Sequence, residues 1–191
     1  MKPDWTDLTA VVVCSGPSLT AEDCEMVRES GHKVIVTNTS FRVAPWADVV
    51  FGYDSAWWDV HADELDREGF AGYRYSMQSK ARSATALAGL GWIPQVGNSG
   101  ACALALAVRF GARKVILLGA DCKVGDRAHW HEDHPAPLRN AASVINWPAQ
   151  FQKAADFAKS NGVDVVNCSR DTALGCIRRG LLEDELWTQV R

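Results

Sequence analysis

The sequence has no apolar run long enough to cross a membrane. Its longest, Ala101 to Val108, is closed by Arg109, well short of the ~20 residues that a spanning helix requires. Near the start, Asp4 and Asp7 interrupt any signal-peptide pattern, and Val11 to Val13 is too short for its apolar centre. A cytoplasmic protein with no membrane partner is therefore expected. Blocks of like charge are missing too. With 20 Lys+Arg against 23 Asp+Glu the formal charge is −3, a balance that makes nucleic acid an unlikely partner and a small molecule the expected one. The six cysteines, Cys14, Cys24, Cys102, Cys122, Cys168 and Cys176, are scattered without a Cys-x-x-Cys pair, and read as reduced, mostly buried thiols. Neither G-x-G-x-x-G nor G-K-[ST] occurs, which argues against a plain NAD enzyme or a P-loop kinase. No internal repeat is visible.

What is present is 191 residues, 47% hydrophobic and 23% charged. That is enough for a single domain, 1–191, that removes roughly 70% of its unfolded surface from water without a metal or disulfide staple. Gly and Pro punctuate a strand, turn, helix pattern. Strands are expected at Val11–Cys14, Val34–Val36, Asp48–Gly52, Tyr73–Tyr75, Lys114–Gly119 and Val163–Val166. Helices are expected at Leu19–Ser30, with Thr20 and Asp23 as a capping box and Gly31 as stop, and from Ser55, as its cap, to about Arg67, with Trp58, Ala62 and Leu65 on one face. Three more are expected: Ser99–Phe110, apolar nearly all round and so buried, Ala149–Ser160, and a short one from Thr172 to Arg178. Residues 78–95 resist assignment, and 122–146 reads as a long connection able to act as a lid. Apolar strands each followed by a helix predict an α/β fold with a mostly parallel sheet.

Each strand run ends in small polar or acidic residues: Ser15, Asn38, Asp54, Asp121, and Asn167 with Ser169. In an open parallel sheet these carboxyl ends share one edge, where ligands bind at the switch in strand order. Two glycine-bearing turns open helices in a way that suits phosphate. They are Ser15-Gly16-Pro17-Ser18 and Gly97-Asn98-Ser99-Gly100. Either Trp57 or Trp58 could stack on a base, though such tryptophans are more often core anchors. Arg170, Arg178 and Arg179 could meet phosphate or simply complement a helix dipole.

His129-Trp130-His131-Glu132-Asp133-His134 carries the H-x-H-x-D-H pattern of metallo-β-lactamase-like hydrolases. That fold also needs a later His and Asp, and no histidine follows His134. The expectation is therefore a lid that brings His129, His131 or His134 over the crevice as acid or base, with no metal ligands.

Five segments together resemble a known group: Val-Cys-Ser-Gly-Pro-Ser-Leu (13–19), Val-Thr-Asn (36–38), Gly-Asn-Ser-Gly (97–100), Lys-Val-Ile-Leu-Leu-Gly-Ala-Asp (114–121) and Val-Val-Asn-Cys-Ser (165–169). The chain resembles the Rossmann-like superfamily of family 42 sialyltransferases and 6-hydroxymethylpterin diphosphokinase-like proteins, whose small members often occur in phages. The resemblance implies a doubly wound sheet with helices on both faces. It also implies nucleotide contacts from Ser15, Gly16, Asn38, Asn98, Ser99 and Asp121, and a lid histidine as base. Ser15 stands where the sialyltransferase turn has Asn. The diphosphokinase branch would add ATP and Mg²⁺, with Asp121 and Asp54 as metal-side carboxylates; no other cofactor is implied.

The reading that follows is a transferase that uses a nucleotide or nucleotide-sugar to move a glycosyl or diphosphoryl group. The nucleotide site would take in Ser15, Gly16, Pro17, Ser18, Asn38, Asp54, Asn98, Ser99, Gly100, Asp121, Asn167 and Ser169. A nucleotide-binding protein without turnover is the alternative from another class, and a metal-dependent hydrolase is the third. Homo-oligomer formation is left open.

Overall fold

The β-branched runs of the sequence become the central strands, covered on both faces. In the computed structural model, which describes residues 2–87, 90–138 and 140–188, eight strands form one sheet. They are β1 (Thr9–Val13), β2 (Lys33–Thr37), β3 (Val49–Gly52), β4 (Tyr73–Ser76), β5 (Thr85–Ala86), β6 (Lys114–Leu118), β7 (Asp164–Asn167) and β8 (Arg178–Arg179). The order is β5-β4-β3-β2-β1-β6-β7-β8 and every adjacent pair runs parallel. The two-residue alternation of a strand sends Ala10 and Val12 to one core and Val11 and Val13 to the other. In β6, Val115 and Leu117 oppose Ile116 and Leu118 in the same way. All eight of these side chains are essentially inaccessible, as expected of parallel strands buried on both faces.

Among the described residues five α-helices flank the sheet: α1 (Ala21–Ser30), α2 (Ser55–Arg67), α3 (Ser99–Phe110), α4 (Trp147–Ser160) and α5 (Leu182–Trp187). Thr20 caps α1 by accepting from the Asp23 amide, and Gly31 ends it at φ 67°. The Asn98 side chain accepts from the Ala101 amide to cap α3, and Gly111 ends that helix at φ 100°. Ten of its twelve residues, Gly100–Val108 and Phe110, are buried, since α3 lies across β1, β2, β3 and β6 and against α4. Its alanines allow that approach, and at Gly100 even a methyl group would come within 2.7 Å of Cys14 Sγ and 2.9 Å of Phe151 Cζ.

The strand order places the topological switch between β1 and β6. From β1 the chain winds outward through β2, β3, β4 and β5, then returns to the other side of β1 as β6. Around the carboxyl ends of these two strands the connections part in opposite directions and leave a crevice.

Two local expectations need correction. Residues 172–178 are not helical: Thr172 Oγ1 donates to the Ala120 carbonyl oxygen at 2.7 Å and the Ala173 amide to that of Asp121 at 2.7 Å. Those bonds hold the segment irregular, and it then enters β8. The final helix is α5, docked by the buried Lys114, whose ammonium donates to the Glu185 carbonyl oxygen at 2.8 Å and pairs with its carboxylate at 2.7 Å. Ser55 opens α2 but does not cap it; Asp54 occupies the cap position without a side-chain capping bond. All six cysteines are free thiols.

Candidate functional site

Residues distant in sequence meet at the switch point. The crevice has a volume of about 610 Å³ and takes in the ends of four strands: Ser15 and Gly16 after β1, Asn38 after β2, Asp54 after β3 and Asp121 after β6. Asn98, Ser99 and Gly100 at the start of α3 form another wall, and His129 and His134 close it from the long connection. Pro17, Ser18, His131, Asn167 and Ser169 do not line it.

The first turn is organised from within. The Gly16 amide donates to the Gly119 carbonyl oxygen at 2.8 Å, while the Ser18 amide and hydroxyl donate to the two Asp121 carboxylate oxygens at 2.8 and 2.6 Å. The Leu19 amide turns back to the Gly16 carbonyl oxygen. Three amides expected to be presented to a phosphate are therefore already engaged, and Asp121 is the clasp that shapes the turn. Asp121 is only 2% exposed, and burial raises its pKa while the Ser18 bonds pull the other way. Gly16 is needed because a Cβ there would lie 2.5 Å from Asp121 Cγ and would also strike the Gly119 carbonyl.

The start of α3 differs. The Asn98 side chain accepts from the Ala101 amide and its carbonyl from the Cys102 amide, while Ser99 and Gly100, first-turn residues whose amides have no intrahelical acceptor, line the crevice at the positive end of the helix dipole. Ser99 Oγ accepts from the Tyr53 amide at 3.3 Å and donates to Asn38 Oδ1 at 3.2 Å. This fixes Asn38, whose backbone is left-handed at φ 48°, beside that wall. Asp54 is exposed at the crevice, and partial desolvation by the walls raises its pKa.

Asn167 and Ser169 serve the architecture instead. Asn167 accepts from the Ser169 amide and donates to Thr172, and Ser169 accepts from the Ala120 amide at 2.8 Å. Trp57 and Trp58 are core anchors, 3% and 0% exposed, with their indole N–H groups bonded to Thr39 and the Gly52 carbonyl; Trp57 still borders the crevice. The three arginines lie outside it. Arg170 grips Asp23 with two bonds, Arg178 pairs with Asp164 and Glu185, and Arg179 donates to the Ser169 carbonyl.

Within 122–146 only residue 139 lies outside the described residues. The Trp130 amide donates to the Ser15 carbonyl oxygen and its indole to Ser40 Oγ, both at 3.2 Å; Ser40 in turn bonds Ser15 Oγ at 3.0 Å. The segment is thus docked on the first turn. Sequence reasoning missed Trp130 and Ser40 and also Trp147 and Phe151 on the crevice wall; nothing in their residue types marks them. Burial lowers the pKa of all three histidines, His131 to about 4 and His134 to about 3, so these imidazoles are neutral at pH 7.

No known sequence family matches the chain, and no curated protein does. Its fold matches a solved sialyltransferase. That protein is CstII of Campylobacter jejuni, in complex with a substrate analogue, cytidine-5'-monophosphate; the TM-score is 0.64 at 13% identity, covering 93% of this chain and 86% of that one. At this identity the likeness is one of fold. No helix among the described residues is long and apolar enough to cross a membrane.

Proposed function

We propose that the chain is a nucleotide-sugar-dependent transferase, with the donor seated along the strand ends and 122–146 acting as a lid. The observation that carries this reading is the convergence on one crevice of the α3 amino terminus, an Asn–Ser pair at the switch point and the His129 and His134 imidazoles of the long connection. The Ser99 and Gly100 amides suit the leaving nucleotide phosphate, on which charge develops as its bond to the glycosyl carbon breaks. The acceptor hydroxyl oxygen forms the new bond to that carbon and gives its proton to His129 or His134, which line the crevice. The structural neighbour, a sialyltransferase in complex with a substrate analogue, cytidine-5'-monophosphate, supports a donor of this kind.

Diphosphoryl transfer with Mg²⁺ suits these residues less well. Its two carboxylates would be Asp54 and Asp121, and both Asp121 oxygens are taken by Ser18. A second reading, nucleotide binding without turnover, is favoured by the weak basicity of His131 and His134.

A thermal-shift panel of nucleotides followed by mass detection of cleaved nucleotide-sugars tests the proposal. A nucleotide at a hundred times its Kd should stabilise the protein by ~2.7 kcal/mol, or roughly 5–11 °C in a chain of this size. Donor cleavage should fall about 10²–10⁴-fold in His129→Ala or His134→Ala, whichever is the base. Stabilisation without cleavage of any donor establishes the binder, and no stabilisation by any nucleotide overturns both readings.

A further inference from the structure

The H-x-H-x-x-H spacing of the lid, in a segment without regular structure, brings three imidazoles into a near-equilateral triangle. Ring centroids are 5.0 Å apart for His129 and His131, 4.8 Å for His129 and His134, and 4.9 Å for His131 and His134. One ring nitrogen from each lies within 4.8 Å of the other two. We propose that His129, His131 and His134 together bind one divalent ion of the zinc class at the lid wall of the crevice.

Unmet bonding capacity is the second support. The Nε2 atoms of His129 and His131 are buried without a hydrogen-bond partner, an arrangement that folded proteins rarely leave unexplained. At His131, Nδ1 lies 2.6 Å from the Glu132 carbonyl oxygen. That acceptor places the ring proton on Nδ1 and the lone pair on Nε2, the outer-shell pattern that orients metal-binding histidines.

His61 of α2 repeats the pattern beside them. Its Nδ1 is 2.9 Å from Glu64 Oε2, its Nε2 is buried without a partner, and its ring centroid is 6.2 Å from that of His134. Its Nε2 makes it a candidate donor for a fourth position. The Arg42 guanidinium, which acts on His131 and His134, is held by both carboxylate oxygens of Glu64, which offsets its repulsion of an ion.

An all-imidazole donor set suits Zn²⁺, Cu²⁺ and Ni²⁺ and disfavours Mg²⁺ and Ca²⁺. Tetrahedral zinc with Zn–N bonds of ~2.0–2.1 Å sets its nitrogen ligands roughly 3.4 Å apart, so the rings must close by about an ångström. The sequence argues against metal here because it lacks the later ligands of the hydrolase pattern; these three rings meet without them. The ion would occupy a ring lone pair on His129 and on His134 alike, so neither could accept a proton in the metal-loaded chain, and the base role proposed above belongs to the metal-free chain. The proposal does not depend on the transferase reading.

The test uses the full chain without a histidine tag, stripped with a chelator and titrated with Zn²⁺ by calorimetry, with metal analysis after dialysis. The expected result is about one zinc per chain and a raised Tm. His131→Ala, which lies off the crevice, should weaken binding about 10–100-fold, and so should His134→Ala. His32→Gln, at the far end of the fold, should leave binding unchanged. The thermal midpoints of the metal-free variants show whether they fold, and Co²⁺ in the wild-type chain gives an optical signature of imidazole coordination. The proposal is overturned by substoichiometric zinc without a Tm shift, or by binding that survives in folded His131→Ala and His134→Ala.

Discussion

Asp121 offers the sharpest test of how the crevice is built, because the sequence points to it as a ligand and its bonds make it a clasp. Replacing it with Ala removes two hydrogen bonds from Ser18, to Oδ1 and Oδ2. Each bond to a charged acceptor is worth about 1.5–3 kcal/mol, and the two share one donor residue and so do not add fully. The buried carboxylate also carries a desolvation cost that Ala does not. The net loss should be about 3 kcal/mol, or roughly 6–12 °C in Tm for a chain of this length. Asp121→Asn keeps an oxygen for the Ser18 amide, and the Ser18 hydroxyl can turn to accept from the new amide group. Its loss should be about 1 kcal/mol. The pH dependence follows a definite sign. Burial raises the folded pKa, so the folded chain holds this proton more tightly than the unfolded one, and the group's contribution to stability falls as pH rises through the carboxylate range. Asp121→Asn should therefore lose least relative to wild type at neutral pH and most in acid. Calorimetric Tm values at pH 7 and pH 4 read all of this. An Asp121→Ala variant within 2 °C of wild type at pH 7, with nucleotide affinity alone reduced, would refute the clasp.

Two further outcomes follow from packing and linkage. Gly100→Ala should cost about 1–3 kcal/mol in urea unfolding, since its methyl group would meet Cys14 Sγ at 2.7 Å and Phe151 Cζ at 2.9 Å; an unchanged midpoint would show that α3 is not held this closely. Glu185 sits between Arg178 and Lys114, whose hydrogen bonds lower its pKa from 4.5 to about 2. The stability it contributes is present above about pH 4.5 and is lost as pH falls toward 2. The gap between wild type and Glu185→Gln should accordingly be wide at pH 7 and narrow at pH 3, and an equal gap at both would count against the linkage.

The elements most legible in the sequence are those whose local preferences agree with their burial. The Thr20 cap, the left-handed Gly31 and Gly111, and the alanine-rich α3 all mark their positions by residue type, whereas the Asp23 carboxylate expected to complete a capping box is bonded to Arg170 instead. The parallel sheet follows from strands apolar on both faces. Residues 172–178 mislead because a helical pattern of apolar residues is overridden by bonds from Thr172 and Ala173 to the end of β6, partners about 50 positions away. At the crevice, strand-end chemistry identifies Ser15, Asn38, Asp54 and Asp121, which line it, but not how each is used. Position along the chain cannot reveal that the Ser18 amide and hydroxyl face Asp121 or that Asn167 and Ser169 face inward. The convergence of His129, His131 and His134 arises from a loop conformation with no periodic signature.

The most direct test of the account is a crystal structure of the chain with the nucleotide that stabilises it most in solution. The account predicts the nucleotide between the α3 terminus and the lid, its phosphate within hydrogen-bond reach of the Ser99 and Gly100 amides, and Asn38 and His129 or His134 alongside. A nucleotide bound elsewhere on the molecule, with the crevice at the β1–β6 switch closed by its own side chains, would contradict it.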